Sequence, residues 1–258
     1  IETYPKKHSI RIRFIEDNPD LKIRTDNDEG VLNPSLEKGG GYYCLVNEYK
    51  HDGNTDISVA RKPTSSNEWN VGGYFSIDGA ESIPDIDYWG SSKKFYATAL
   101  HSNKDYFYYI EIPDIADEDG WTANILDWSG LDYNFDFYDS TSVGCYEGKK
   151  VIYAVVGSTN YPGAECNHAP MLLYETEPGD WTIRWFTEFD VSSHISLDID
   201  QNTGIIYLAF DKGNNIYLLS NDYDDGLDDS WSYWAIEESY DMRYADVSAG
   251  HGVVYMTA

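Results

Sequence analysis

The stretch ISLDIDQNTGIIYLAFDKGNNIYLLSNDYDDGLDDSWSYWAIEE, Ile195–Glu238, decides the fold. It holds four short period-2 segments rich in Ile, Leu, Val, Tyr or Trp: Ser196–Asp200, Ile205–Phe210, Asn215–Ser220 and Ser232–Glu238. Asn202-Thr203-Gly204 and Lys212-Gly213-Asn214 separate the first three, and the acidic turn Asn221–Asp229 with Trp231 precedes the fourth. Alternating apolar residues between Gly and Asn turns predict a four-stranded antiparallel meander.

Copies of this meander run through the chain. The second segment recurs as Tyr42–Glu48, Phe95–Leu100, Val151–Ser158 and Val253–Ala258. The third recurs as Asp56–Arg61, Tyr106–Ile112, Met171–Thr176 and, at the other end of the chain, Ser9–Phe14. After the third strand of each complete unit comes a polar turn and a Trp that opens the fourth: Trp69, Trp121, Trp181 and Trp231. The first strands are short, centred on Ser35-Leu36-Glu37, Asp85-Ile86-Asp87, Ser142-Val143-Gly144, Ser196-Leu197-Asp198 and Asp246-Val247-Ser248.

A repeat of this length predicts stacked sheet units. The last unit has strands one and two only. The N-terminus offers a third (Ser9–Phe14) and a fourth (Lys22–Asp26, with Leu21 in place of the Trp), so the two chain ends in phase predict one closed ring that leaves no open sheet edge. The expected fold is all-β, a single five-bladed β-propeller over residues 1–258. Its blades span about 30–79, 80–130, 138–190, 194–239, and 241–258 with 1–29. An open array and a β-sandwich are the alternatives. Pro113–Gly120 reads as a long acidic turn with at most one helical turn.

The pattern of third strand, polar turn and Trp, as in Ser58–Trp69 and Leu218–Trp231, resembles the bacterial neuraminidase repeat of sialidase-type β-propellers, whose turn reads Ser-x-Asp-x-Gly-x-Thr-Trp. Ser220, Asp222, Gly226 and Trp231 match it with an insertion, whereas Pro178-Gly179-Asp180-Trp181 keeps only its end and Asp114–Trp121 lacks the Ser. The resemblance implies the fold and says little of activity.

Composition narrows the partners. With 45 acidic against 18 basic residues, the net charge of -27 opposes binding to a phosphate backbone, which needs Lys and Arg to displace counterions. Such a surface fits solubility, a high-salt habitat or cation binding. Twenty-three Tyr, 8 Trp and 9 Phe exclude a disordered acidic tail. No run of about 18 apolar residues is present to span a membrane. The start at Ile1, without Met, suggests a piece of a longer extracellular or cell-surface chain. Of the three cysteines, Cys145 and Cys166 could pair across the loop Gly157–Pro170 with Cys44 in the core, or all three could be thiols.

In a propeller the first strands line the central channel. Read in register, they give one ring of Ser35, Asp85, Ser142, Ser196 and Asp246 and a second of Glu37, Asp87, Gly144, Asp198 and Ser248. Carboxylates gathered this way must be hydrated, share protons or hold a cation such as Ca²⁺ or Na⁺. The turn around Gly226 offers Asp222, Asp224 and Asp225 as further cation ligands, without the terminal Glu of an EF-hand.

The sialidase resemblance implies an arginine triad for a sugar carboxylate. Six arginines, Arg11, Arg13, Arg24, Arg61, Arg184 and Arg243, do not supply it, because several alternate along strands instead of starting them. The five-bladed arabinanase and xylosidase group, similar in fold, places three carboxylates in its central cavity. Here Asp85 and Asp198 stand where two could act, while Asn33-Pro34-Ser35 occupies the place of the third and no Glu follows in a matching later strand. No histidine pair has zinc-ligand spacing, and no nucleophile elbow or phosphate loop occurs. Loop residues including His101, Tyr138 and Arg243, with Asp85, Asp87, Asp198 and Asp246, suit a glycan or a surface protein as ligand. The sequence alone therefore predicts a non-catalytic binding or structural module requiring no cofactor. Its alternative is a glycoside hydrolase using Asp85 and Asp198.

Overall fold

The computed structural model describes residues 31–51, 54–66, 70–75, 80–101, 106–112, 122–127, 137–146, 150–158, 168–177, 180–191, 194–222, 231–237 and 244–257. They form antiparallel strands and turns. The first sheet is β1 (Val31–Gly39), β2 (Tyr42–His51), β3 (Asn54–Pro63) and β4 (Asn70–Phe75). The second is β5 (Ala80–Trp89), β6 (Lys94–His101), β7 (Tyr106–Ile112) and β8 (Thr122–Asp127). The third is β9 (Phe137–Tyr146), β10 (Lys150–Ser158), β11 (His168–Glu177) and β12 (Asp180–Trp185). The fourth is β13 (Ile195–Ile199), β14 (Ile205–Lys212), β15 (Asn215–Asp222) and β16 (Ser232–Glu237). A two-stranded sheet, β17 (Asp246–Gly250) and β18 (Val253–Thr257), ends the described chain. Each sheet is a meander in sequence order, and the first strands of successive sheets are neighbours. Among the described residues no helix is long and apolar enough to cross a membrane.

Among the described residues the buried apolar side chains fall into separate clusters. Four apolar layers lie between successive sheets, and alternation along the inner strands deals side chains to both sides. Cys44, Val46, Ile57 and Val59 of the first sheet meet Ile86, Phe95, Ala97 and Ile110 of the second. Tyr96, Leu100 and Phe107 face the other way, onto Val143, Tyr153, Val155 and Met171. In the fourth sheet Ile206, Leu208 and Phe210 pack on the third, while Tyr207 and Ala209 pack on Ala245 and Val247 of the fifth. A second strand buried on both faces explains why its signature is a nearly unbroken apolar run. The repeat Trp has the same cause. The ring of Trp181 meets Tyr109 of the preceding sheet at 5.1 Å, and that of Trp231 meets Phe186 at 5.0 Å and 86°, so each fills a gap between units.

The first strands are longer than the sequence suggests, nine residues in β1 and ten in β5 and β9. Pro34 and Pro84 hide this length, because proline is uncommon within strands. Both sit on the inner edge, where the missing N–H has no strand partner to serve, beside register shifts at Leu32/Ser35 and Ser82/Asp85. Gly39 closes β1, and Gly40 and Gly41 turn the chain at φ 56° and 86°, as a Gly-Gly-Gly turn requires. Cys44 and Cys145 are buried, and burial pushes the Cys44 thiol up to about 12 against the pull of Arg61. Cys166, the expected N-terminal strands Ser9–Phe14 and Lys22–Asp26, Trp69, Trp121 and Pro113–Gly120 lie outside the described residues.

Candidate functional site

The inner strands are stitched together by side chains. Asp85 Oδ2 accepts the Val143 N–H at 3.0 Å and the Ser142 hydroxyl at 2.6 Å, and its Oδ1 accepts the Ser35 hydroxyl at 2.7 Å. Ser142 Oγ in turn accepts the Leu197 N–H at 3.0 Å, and Ser196 Oγ accepts the Val247 N–H at 3.2 Å while donating to Asp246 Oδ1 at 2.8 Å. Two residues further along, Asp87 Oδ2 takes the Cys145 N–H at 2.5 Å and Asp198 Oδ2 the Ala249 N–H at 2.6 Å. Asp200 Oδ2 takes the Gly252 N–H at 2.6 Å. The second, third and fourth sheets thus satisfy inner-edge donors of the next without strand pairing. Ser35, Asp85, Ser142 and Ser196 each bond to the following sheet. That is how acids and serines come to occupy positions where a buried, unpaired N–H would otherwise be costly.

Burial raises the Asp85 carboxyl above its ordinary value, against the hydrogen bonds from Ser142, Ser35 and the Val143 and Ile86 amides. Asp87 is pushed well above, by burial first and then by the Glu37 and Asp198 charges. Burial raises Asp198, with Asp85 and Asp246 adding to it, and also Glu37, where Asp198 and Asp85 add to it. At Asp200 burial pushes upward too, but the Asn202 and Gly252 amides outweigh it and hold the group low. His194 is lowered by burial despite Asp246, Asp211 and Asp85, which keeps the neutral imidazole favoured.

A consequence for stability follows from the four raised acids. Each binds its proton more tightly folded than unfolded, so its contribution is complete below the unfolded value near 3.8 to 4.5 and is lost as pH rises through the folded one. Asp200 contributes oppositely, losing stability as pH falls through its lowered value. The melting temperature is therefore expected to peak at mildly acidic pH and fall towards neutrality. Asp87→Asn should flatten that fall in a calorimetric pH series, and a slope unchanged by it would contradict the assignment.

Pro34, Ser35, Pro84, Asp85, Thr141, Ser142, His194, Ile195, Ser196 and Asp246 line one cavity of about 290 Å³, near the lower end of the usual range for small-molecule sites. Asp85 and Asp246 come from the second and fifth sheets. They differ in setting: Asp85 holds three hydrogen bonds and is partly buried, whereas Asp246 is exposed and takes one from Ser196. His194 Nδ1 lies 3.1 Å from Ser140 Oγ, and its backbone N–H donates to Asp211 Oδ1 at 2.8 Å.

No protein-family model matches the chain, and no curated protein does. Solved structures do. A GH43_1 enzyme from Xanthomonas citri, complexed with xylotriose, is 11% identical over 90% of this chain and 82% of its own, with TM-score 0.52. The same enzyme complexed with xylose gives 12%, 88%, 80% and 0.52. The K499G mutant of NanB sialidase from Streptococcus pneumoniae gives 10%, 85%, 37% and 0.51. The chain shares the propeller-type fold of these proteins. This likeness corrects the expectation of a non-catalytic binding or structural module: the solved structures that share the fold are enzymes.

Of the expected site residues, the cavity gathers Asp85 and Asp246. Asp87 and Asp198 lie one step along the strands, each engaged by two backbone amides, and neither lines the cavity. The cavity therefore brings Asp85 together with Asp246 and not with Asp198. His101 ends β6 and Tyr138 lies in β9, with their side chains outside the described set, as is Arg243. Asp222 is exposed at the end of β15, and Asp224 and Asp225 lie outside the described residues. Among the described residues no three His, Cys, Asp or Glu side chains are grouped to hold a metal ion. Sequence reasoning passed over His194, though it stands two residues before Ser196 as Ser140 stands before Ser142, and the register carried this signal.

Proposed function

We propose that the protein is a glycoside hydrolase of the arabinanase-like type, acting on a neutral glycan in the cavity of Asp85 and Asp246. The observation that carries this reading is two carboxyl groups in unlike environments around one sugar-sized space. A carboxyl held by three hydrogen bonds beside one open to solvent gives one site two acids fit for different roles. Asp85, raised by burial, protonates the departing glycosidic oxygen. The Ser35 and Ser142 hydroxyls can rotate to accept from it when it carries the proton. Asp246, open to solvent, takes a proton from the water that attacks the anomeric carbon. Ser35 occupies the first-sheet position, so that strand adds a hydroxyl and no third carboxylate. No Lys or Arg is among the lining residues, which together with the charge of -27 disfavours an anionic sugar. The acidic shell suits an extracellular enzyme.

The test is a panel of nitrophenyl pentosides and hexosides assayed with the wild type and with Asp85→Asn. Release from at least one neutral glycoside, lost in the variant, is expected. Release from none, or release that survives both Asp85→Asn and Asp246→Asn, would overturn the proposal.

The same reading makes the chain one closed five-bladed ring. The β17–β18 sheet has an outer edge on β18 with no strand partner among the described residues, and Ser9–Phe14 has the period-2 pattern to pair there, with Lys22–Asp26 outside it. Deleting residues 1–29 is expected to abolish cooperative unfolding and to drive association through the β18 edge. A monomeric deletion variant with an unchanged melting temperature would contradict closure.

A further inference from the structure

Among the described residues, three other than glycine adopt the left-handed backbone region: Lys93 (φ 54°), His251 (φ 54°) and Tyr244 (φ 60°). Lys93 and His251 sit in the hairpin loops that join β5 to β6 and β17 to β18, where such a residue lets the chain reverse. Tyr244 sits in no hairpin. It lies between β16, the outer strand of the fourth sheet, and β17, the inner strand of the fifth. A side chain with a Cβ in that conformation costs about 1–2 kcal/mol. The ring recovers little of this by packing, since Tyr244 is 64% exposed. A cost kept without a local structural return is the mark of a functional constraint.

Its place suggests what the constraint is. Two residues before the cavity-lining Ser142, Ser196 and Asp246 stand Ser140, His194 and Tyr244. Ser140 and His194 are hydrogen bonded, the His194 side chain lines the cavity, and the Tyr244 ring meets it edge-on with centroids 5.9 Å apart at 61°. Behind Tyr244, Ala245 is fully buried against the fourth sheet, and the next residue is Asp246, so the backbone is anchored while the ring stays largely exposed. Among the described residues the cavity is lined by carboxylates, hydroxyls, prolines, one isoleucine and the His194 imidazole. These groups can hydrogen-bond a sugar, and the described lining holds no six-membered aromatic ring.

We propose that Tyr244 is the sugar-stacking wall of this site: its ring takes the apolar C–H face of a neutral sugar whose hydroxyls reach Ser35, Ser196 and Asp246. This inference rests on the glycoside hydrolase reading for its substrate, but it is read out by binding as well as by turnover. It makes Tyr244 a contact that selects sugars with an unbroken C–H face, separate from the proton transfers.

The experiment compares wild type, Tyr244→Phe, Tyr244→Ala and Tyr244→Gly by steady-state hydrolysis of xylotriose and arabinotriose, with saturation-transfer NMR of the same trisaccharides and calorimetric melting in parallel. Tyr244→Ala and Tyr244→Gly should raise KM about tenfold, the scale of one aromatic contact, and leave kcat within about threefold. Tyr244→Phe should behave as wild type. Tyr244→Gly should melt higher than wild type, because glycine adopts this φ without cost, so affinity and stability move in opposite directions. A KM unchanged in the Ala and Gly variants, whatever their melting temperature, overturns the proposal and leaves the hydrolase intact. Trisaccharide binding without turnover that disappears in Tyr244→Ala sustains the stacking wall and overturns hydrolysis. Absence of binding to wild type overturns both.

Discussion

Asp85→Asn is expected to lower turnover of a neutral glycoside by about 10²–10⁴-fold, the range for loss of a positioned general acid, while the protein stays folded and melts no lower than wild type. The amide is nearly isosteric with the acid. Its oxygen can keep the Val143 N–H and one serine hydroxyl, and the other hydroxyl can rotate to accept from the new NH₂. What it loses is the proton to give. It also loses a charge that burial disfavours, and an uncharged replacement at such a place is often neutral or stabilising. The separation of activity from stability is the informative result. Nitrophenol release and calorimetry on one preparation would give it, and a variant of full activity would remove Asp85 from the chemistry. Asp85→Ala is the poorer probe, because it strips a partner from Ser35, Ser142 and Val143 together.

Gly39→Ala should destabilise the chain by about 3 kcal/mol or more, the upper end of what overpacking costs, and lower the melting temperature by roughly 6–12 °C for a chain of this size. A Cβ at Gly39 would stand 1.9 Å from Cγ of Tyr88 and 2.1 and 2.3 Å from its two Cδ atoms, within the ring itself. The ring cannot step aside cheaply. It packs on the buried layer of Cys44, Ile86 and Phe95, with its centroid 4.7 Å from that of Phe95, and its hydroxyl already lies where a Cβ on Gly40 would be 2.9 Å away. Gly41 is the control. Nothing lies within 4 Å of a Cβ there, and only its φ of 86° opposes substitution, so Gly41→Ala should cost distinctly less. Equal melting temperatures for the two variants would show that Tyr88 relaxes, contrary to this packing.

Both predictions concern positions whose residue type was plain in the sequence and whose role was not. Gly39 reads as part of a Gly-Gly-Gly turn, and two of the three glycines are indeed needed for their backbone angles. The third is there for an aromatic ring contributed by the next sheet, 49 positions later in the chain. Likewise the inner Ser and Asp residues read as channel lining. Their partners Val143, Leu197 and Val247 are hydrophobic residues whose side chains face the layers between sheets and whose amides alone take part. An amide is common to every residue, so no pattern of side-chain types could single these partners out.

The sequence by itself determined the strands, their meander order and the repeat, because burial of a second strand between two sheets writes an apolar run, and turns between strands write Gly and Asn. It also placed Ser35, Asp85, Ser142, Ser196 and Asp246 at equivalent positions, since equal register in equal units is a property of spacing alone. Register alone also separated Asp85 and Asp246 from Asp87 and Asp198, but that the first set opens on a cavity was decided only by the tertiary structure. The position of each inner strand depends on the hydrogen bonds it makes to the next sheet, and these set Asp85 and Asp246 around the cavity while engaging Asp87 and Asp198 in holding the sheets together. Local periodicity reaches a few residues along the chain, and the contacts that divide these acids between chemistry and structure span more than fifty.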